Sequence, residues 1–231
     1  ISSRKIAIES NFTGERIVVF GTIENAKHAE FETSPYDIIV AIRGPGKPVV
    51  TRRKARVAGI WINRDSHTFK NVPGYYAVLS TRELKSIASP AILEANGIGF
   101  QSLDFTTYGV QNNSAIDAGL KAFRAAAIRI KQKDGLYLYD PKGVQFVGRN
   151  LFRATVDLPA NVPVGLYATH VYLLRDGKML SHNRSNLTIN KQGFERFLYS
   201  AAFDYPLAYG IIAVIIAVAA GLLASALSRR D

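Results

Sequence analysis

"TRRKARVAGIWIN" (residues 51–63) places four cations in five positions, Arg52, Arg53, Lys54 and Arg56, and then turns apolar at Val57, Ile60, Trp61 and Ile62. Read as a strand, its period-two alternation sends Arg52, Lys54 and Arg56 to one face and Arg53, Ala55 and Val57 to the other, with Trp61 further along the second face. The first part of the chain holds more runs of this kind: KIAIES (5–10), RIVVFGTI (16–23), DIIVAIRG (37–44), VVTRRKARVAGIWIN (49–63) and YYAVLST (75–81). Ser34-Pro35, Gly44-Pro45-Gly46 and Pro73-Gly74 separate them with turn chemistry. A second β-rich stretch follows: GVQFVG (143–148), LFRATVDLP (151–159), GLYATHVYLLRDGKMLSH (165–182) and NLTIN (186–190). Asp176-Gly177 inside it is a two-residue hairpin signal.

The middle of the chain reads differently. Glu83 to Asn96 has a helical pattern that Pro90 should break in two and Gly97 should end. From about 115 to 132, Ile116, Leu120, Phe123, Ala127 and Ile130 recur along one helical face, with Lys121, Arg124, Arg129 and Lys131 on a solvated side. The pattern predicts a mainly β fold, an Ig-like antiparallel sandwich or pair of sandwiches over residues 1–190, with a helical insertion at about 82–133.

A formal charge of +11 raises the thought of nucleic acid, and the other end of the chain argues against it. "LAYGIIAVIIAVAAGLLASAL" (207–227) has no charge over a length that lets a helix cross roughly 30 Å of hydrocarbon. Phe197, Tyr199, Phe203, Tyr205 and Tyr209 crowd its front edge like an interfacial aromatic belt, and Arg229 and Arg230 close the far edge. Residues 191–206 read as an amphipathic lead-in, and 228–231 as a cytoplasmic tail. The chain starts at Ile1, so a removed signal peptide is expected, which puts the large front portion on the exported side of a bacterial inner membrane. That compartment holds no nucleic acid. A tail-anchored protein with a cytosolic domain is the rival topology. Within the span, Ala213, Ala217, Gly221 and Ser225 repeat every four residues and offer a small-residue seam to another helix, in a copy of the chain or in a larger membrane complex.

Catalytic chemistry is thin. The chain has no cysteine, which removes thiol nucleophiles and cysteine metal sites. There is no Gly-x-Ser-x-Gly elbow, GPGKPVVT lacks the spacing of a phosphate-cradling loop, and His28, His67, His170 and His182 show no metal-ligand spacing. No cofactor is expected, and no enzyme.

VVTRRKARVAGIWIN, followed by NVPGYYAVLSTREL and preceded by RGP at 43–45, together with SNFTG (10–14) and GIGF (97–100), resembles a functionally uncharacterised alphaproteobacterial family of transmembrane proteins. The resemblance covers most of the chain. It implies a signal peptide, a periplasmic domain and one inner-membrane anchor, and it suggests partnership with transporters of the sulfite-exporter type. It carries over no functional residue.

The residues support a non-enzymatic accessory subunit of a larger inner-membrane complex, with Arg52, Arg53, Lys54, Arg56 and Trp61 as contacts for anionic lipid or an acidic partner. An alternative reading uses the same cations in a periplasmic anion-binding module for a sulfite-exporter-type transporter, and a third is a membrane-anchored enzyme with a site assembled across loops. The topology has a direct test. Protease added to intact spheroplasts should digest residues 1–190; survival until lysis would place them in the cytoplasm.

Overall fold

The central strand begins with Asp37 and continues through five apolar residues, a composition suited to burial on both faces. In the structure, a computed structural model that describes residues 5–8, 14–23, 35–107, 114–148, 150–191 and 202–228, this strand is β3 (Asp37–Arg43), counted after β1 (Lys5–Ile8) and β2 (Gly14–Thr22). Its first six residues are all buried. The remaining strands are β4 (Gly46–Val57), β5 (Ile60–Pro73), β6 (Tyr76–Ser80), β7 (Tyr137–Asp140), β8 (Val144–Val147), β9 (Leu151–Pro159), β10 (Gly165–Arg175) and β11 (Lys178–Lys191). Helices with both ends among the described residues are α1 (Leu84–Ile87), α2 (Pro90–Ala95), a 3₁₀ turn Phe100–Ser102, α3 (Ser114–Lys133) and α4 (Pro206–Ser228).

Six strands form one sheet in the order β1-β11-β10-β3-β6-β7, and three form a second in the order β2-β9-β8. Ile38, Val40 and Ile42 of β3 share a face with Leu173, Val171 and Thr169 of β10, and the three-stranded sheet packs on that side through Val19, Phe152 and β8. The opposite face carries Ile39, Ala41 and Arg43, and the helical segment covers it. Arg43 Nη2 donates to the carbonyls of Asn96 and Gly97, and Tyr76 Oη donates to Gly97 O and accepts from Gly99 N–H. At the head of β3 the buried Asp37 carboxylate accepts from Thr81 Oγ1 and from two nitrogens of Arg82, at 2.6–3.0 Å, which satisfies a charge that would otherwise be costly to bury.

The molecule is mainly β with open sheets, as the turn-separated runs predict, and Pro90 does divide the short helical stretch into α1 and α2. The Ig-like antiparallel arrangement expected from the sequence is not what the larger sheet shows, because β6 and β7 pair in parallel. A parallel pair cannot be closed by a tight turn and needs a long crossover. Residues 81–136 supply it, so the helical region is the connection that the sheet requires rather than an insertion into a finished sandwich. The buried side of α3 also differs from expectation. Ala127 and Ile128 are buried while Ile130 is about half exposed, and Arg124, expected in solvent, donates to the carbonyls of Gln101 and Leu103.

Strands β4 and β5 form a separate two-stranded sheet that prolongs the β3–β6 pair. The prolongation bends where Gly44 N–H bonds Tyr75 O and Gly74 N–H bonds Pro45 O. A Cβ at Gly44 would sit 2.9 Å from the Tyr167 ring, and one at Gly74 would sit 2.8 Å from Pro163, so both positions require glycine for close approach. The base of the hairpin is anchored by Phe69, fully buried and 5.3 Å from Phe105, and by packing of α3 on β4.

Two compact units result: residues 12–190 with 1–6, and residues 191–231 with 7–11. The second contains α4, 23 residues with no charge and, at 1.5 Å per residue, about 34 Å long. Its side chains are described at 206, 207 and 209–222. Among the described residues no helix is long and apolar enough to cross a membrane; the helical backbone itself continues through 223–228.

The hairpin turn is Ala58-Gly59, with φ of 48° and 86°. Positive φ at both central positions is the two-residue turn that matches strand twist, and an alanine there bears a steric cost that asparagine reduces. Ala58→Asn should slow hydrogen exchange of the outer β4 and β5 amides about two- to fivefold, equivalent to about 0.5–1 kcal/mol; faster exchange would show that the turn has another geometry.

Candidate functional site

Beyond Thr51 and His67 the β4–β5 hairpin leaves the body of the domain. From Arg52 to Ser66 it carries five cations, Arg52, Arg53, Lys54, Arg56 and Arg64, and a single carboxylate, Asp65. Arg53 is bound to Asp65 through Nε and Nη2 at 3.0 and 2.5 Å. Arg56 Nε donates to Gly59 O at 3.3 Å, across the turn. Among the described residues, Arg52, Lys54 and Arg64 form no salt bridge. At the tip Ile60 is 68% exposed and Trp61 65%, with Val57 and Ile62 each at 45%. An isoleucine and the chain's one tryptophan left that far in solvent, rimmed by cations, are not explained by packing within the domain.

The register corrects the single-strand reading of residues 49–63. Because the chain reverses at Ala58-Gly59, Arg56 lies opposite Trp61, Lys54 opposite Asn63, and Arg52 opposite Ser66 across a bulge at Arg64. Residues directly opposite one another share a face. Trp61 therefore joins Arg52, Lys54 and Arg56 on one face, while Arg53, Ala55, Val57, Ile60 and Ile62 occupy the other. The signal for the turn is weak, since Ala-Gly is not among the favoured pairs, and without the turn the sequence places neither Arg64 beside the other cations nor Val57, Ile60 and Ile62 at a tip. The cations do not converge. Arg52 and Arg56 are four residues apart on an extended strand, about 13 Å, and none of the cations lines any of the three cavities described.

The other predicted contacts lie in the second unit. Phe203, Tyr205 and Tyr209 are exposed, as are Ala213, Ala217 and Gly221, which follow one another at four-residue steps along α4. Ser225 continues that line on the helical backbone. Phe197, Tyr199, Arg229 and Arg230 lie outside the described residues. A Cβ at Gly221 would meet no atom of the described residues within 4 Å.

One more cluster was only half legible. His170, placed by sequence on a strand, and His182 share a hydrogen bond between Nδ1 and Nε2 at 2.9 Å, and Tyr172 stacks parallel to both rings. Partial burial, followed by the nearby charges of Arg43, His182 and Arg184, lowers the His170 pKa to about 4. Among the described residues there is no group of three or more His, Cys, Asp or Glu side chains that could hold a metal ion.

A family model described as "Putative transmembrane protein (Alph_Pro_TM)" matches residues 1–230. No curated protein and no solved structure matches the chain.

The His170 shift has a signed consequence. Below about pH 6.5 the unfolded chain binds a proton that the folded protein refuses, so the stability due to this group is complete above pH 6.5 and is lost as the pH falls toward about 4. In denaturant titrations the wild type should lose more stability than His170→Gln between pH 6.5 and 4.5. Equal losses would mean that His170 titrates as it does in the unfolded chain.

Proposed function

Because the chain belongs to this family of transmembrane proteins, we propose that α4 is a single membrane span holding a non-enzymatic periplasmic domain as the accessory subunit of an inner-membrane complex. The observation that carries the reading is the β4–β5 hairpin, where, among the described residues, Arg52, Lys54, Arg56 and Arg64 form no salt bridge and Trp61 is 65% exposed. A tryptophan with apolar neighbours and a basic rim suits the headgroup region of an anionic membrane, where each cation contributes on the order of 1 kcal/mol. The four cations without a carboxylate would together supply roughly 4 kcal/mol, screened beyond a Debye length of about 8 Å. The uncharged sequence of 207–227 supports the span on composition alone. The seam Ala213, Ala217, Gly221 and Ser225 would let a partner helix approach to backbone distance. The absence of charge on α4 is compatible with either lipid or a neighbouring helix around it, and the complex would decide how the two share its surface.

Capture of a small anion for a sulfite-exporter-type transporter needs the same cations to close on a pocket, and their spacing along β4 gives that reading no support.

Trp61 is its own reporter, being the only tryptophan. In nanodiscs rich in phosphatidylglycerol its emission should shift to the blue relative to phosphatidylcholine discs, and Arg52→Glu, Lys54→Glu and Arg56→Glu together should abolish the shift. A water-like spectrum in both lipids would overturn the lipid contact; a shift that appears only when a co-purified protein is added would assign the hairpin to that protein. Gentle extraction should bring down a stoichiometric membrane partner, and Gly221→Leu should weaken its retention several-fold without altering the domain's unfolding. Emergence alone and monodisperse would remove the subunit reading.

A further inference from the structure

Among the described residues a three-stranded sheet faces a six-stranded one and does not cover all of it. The shortfall falls over β10 and β11. There, the face made by Thr169, Val171 and Leu173 of β10 and by Ser181, Asn183 and Ser185 of β11 meets β2 and Phe152 of β9 across a cavity of about 530 Å³. That volume lies in the range of small-molecule sites. Ser181 and Asn183 are exposed, so the slot opens along β11. Gly21 of β2 lies opposite Phe152, and a Cβ there would meet the phenyl ring at 2.8 Å; glycine at this position lets the ring form one wall.

Two features separate this slot from a gap in packing. First, among the described residues none that lines it is charged, although a fifth of the chain is. The walls combine aliphatic and phenyl surface with hydroxyl and amide groups that can both donate and accept. Second, Thr169 is 1% exposed, lines the slot, and its Oγ1 has no hydrogen-bond partner among the described residues. A buried unpartnered hydroxyl costs free energy, and valine would fill the same strand position without that cost.

We infer that this slot binds an uncharged amphiphile, an apolar chain carrying a hydroxyl or carbonyl group that pairs with Thr169 Oγ1 and the polar row of β11. A carboxylate or phosphate ligand would be desolvated here with no counter-charge, which sets the slot's chemistry apart from that of the basic hairpin. The inference stands independently of the membrane-subunit reading, because it uses only residues 19–185 of the first unit.

The test uses the full chain in nanodiscs, with empty discs as the control, and calorimetric titration of three probes: 1-decanoylglycerol, decanoate and glycerol. The neutral ester should bind, and the other two should not. Thr169→Val should weaken binding of the ester about three- to tenfold, the loss expected for one hydrogen bond, while the unliganded protein unfolds at the same temperature or higher. Val171→Phe, which fills the slot with apolar volume, should abolish binding. Equal affinity for decanoate would overturn the neutral class. Unchanged ester affinity in Thr169→Val, or no binding of any probe by a protein that unfolds cooperatively, would overturn the site.

Discussion

Burial of β3 on both faces is the constraint from which the rest of the first unit follows. A strand whose two neighbours, β10 and β6, satisfy its backbone still has two apolar faces to cover, and the chain covers them by different means. The three-stranded sheet takes the face of Ile38, Val40 and Ile42. The crossover between β6 and β7 takes the other, where Arg43 is tied to the carbonyls of Asn96 and Gly97 and lies over the Tyr76 ring at 5.7 Å. Asp37, held by Thr81 and Arg82, pins the strand's start beside the end of β6. Loss of that carboxylate would leave Arg82 without its partner and the head of the sheet without its clasp.

The hairpin is a by-product of the same pairing. β3 and β6 are antiparallel neighbours, so the chain between them must turn back somewhere, and it does so about a dozen residues further than the sheet needs. Glycines at 44 and 74 permit the bend that takes this extension off the sheet, because any side chain there would collide with Tyr167 or Pro163. What the extension carries beyond its buried base is therefore free of packing duties. Cations and a tryptophan can sit there at little cost to the fold, which is why their presence points toward something outside it.

The two units divide the physical tasks. The first offers a basic, apolar-tipped projection and, on its uncovered strip, an uncharged slot. The second offers an uncharged helix with small residues on a four-residue repeat. Electrostatic attachment by the hairpin would respond to salt and lipid charge, whereas helix packing in hydrocarbon would respond to neither. On the proposed reading the same protein would hold a permanent contact and an adjustable one.

Sequence alone determined what depends on neighbours along the chain. Period-two runs marked nearly all the strands, Asp176-Gly177 marked the β10–β11 turn with φ of 50° and 76°, Pro90 split α1 from α2, and the uncharged run at 207–227 marked α4. Turn chemistry failed at Ala58-Gly59, because alanine is a poor occupant of positive φ; the strand read through the turn, and Trp61 went to the wrong face. Only the tertiary structure decided the parallel β6–β7 pair, the six-against-three mismatch, the His170–His182 hydrogen bond across two strands and the isolation of Thr169 Oγ1. Each is a relation between residues that the chain brings together from a distance. Local propensity sets the shape of a segment and says nothing of which other segment will cover it; that choice falls to burial and hydrogen-bond satisfaction summed over the whole fold.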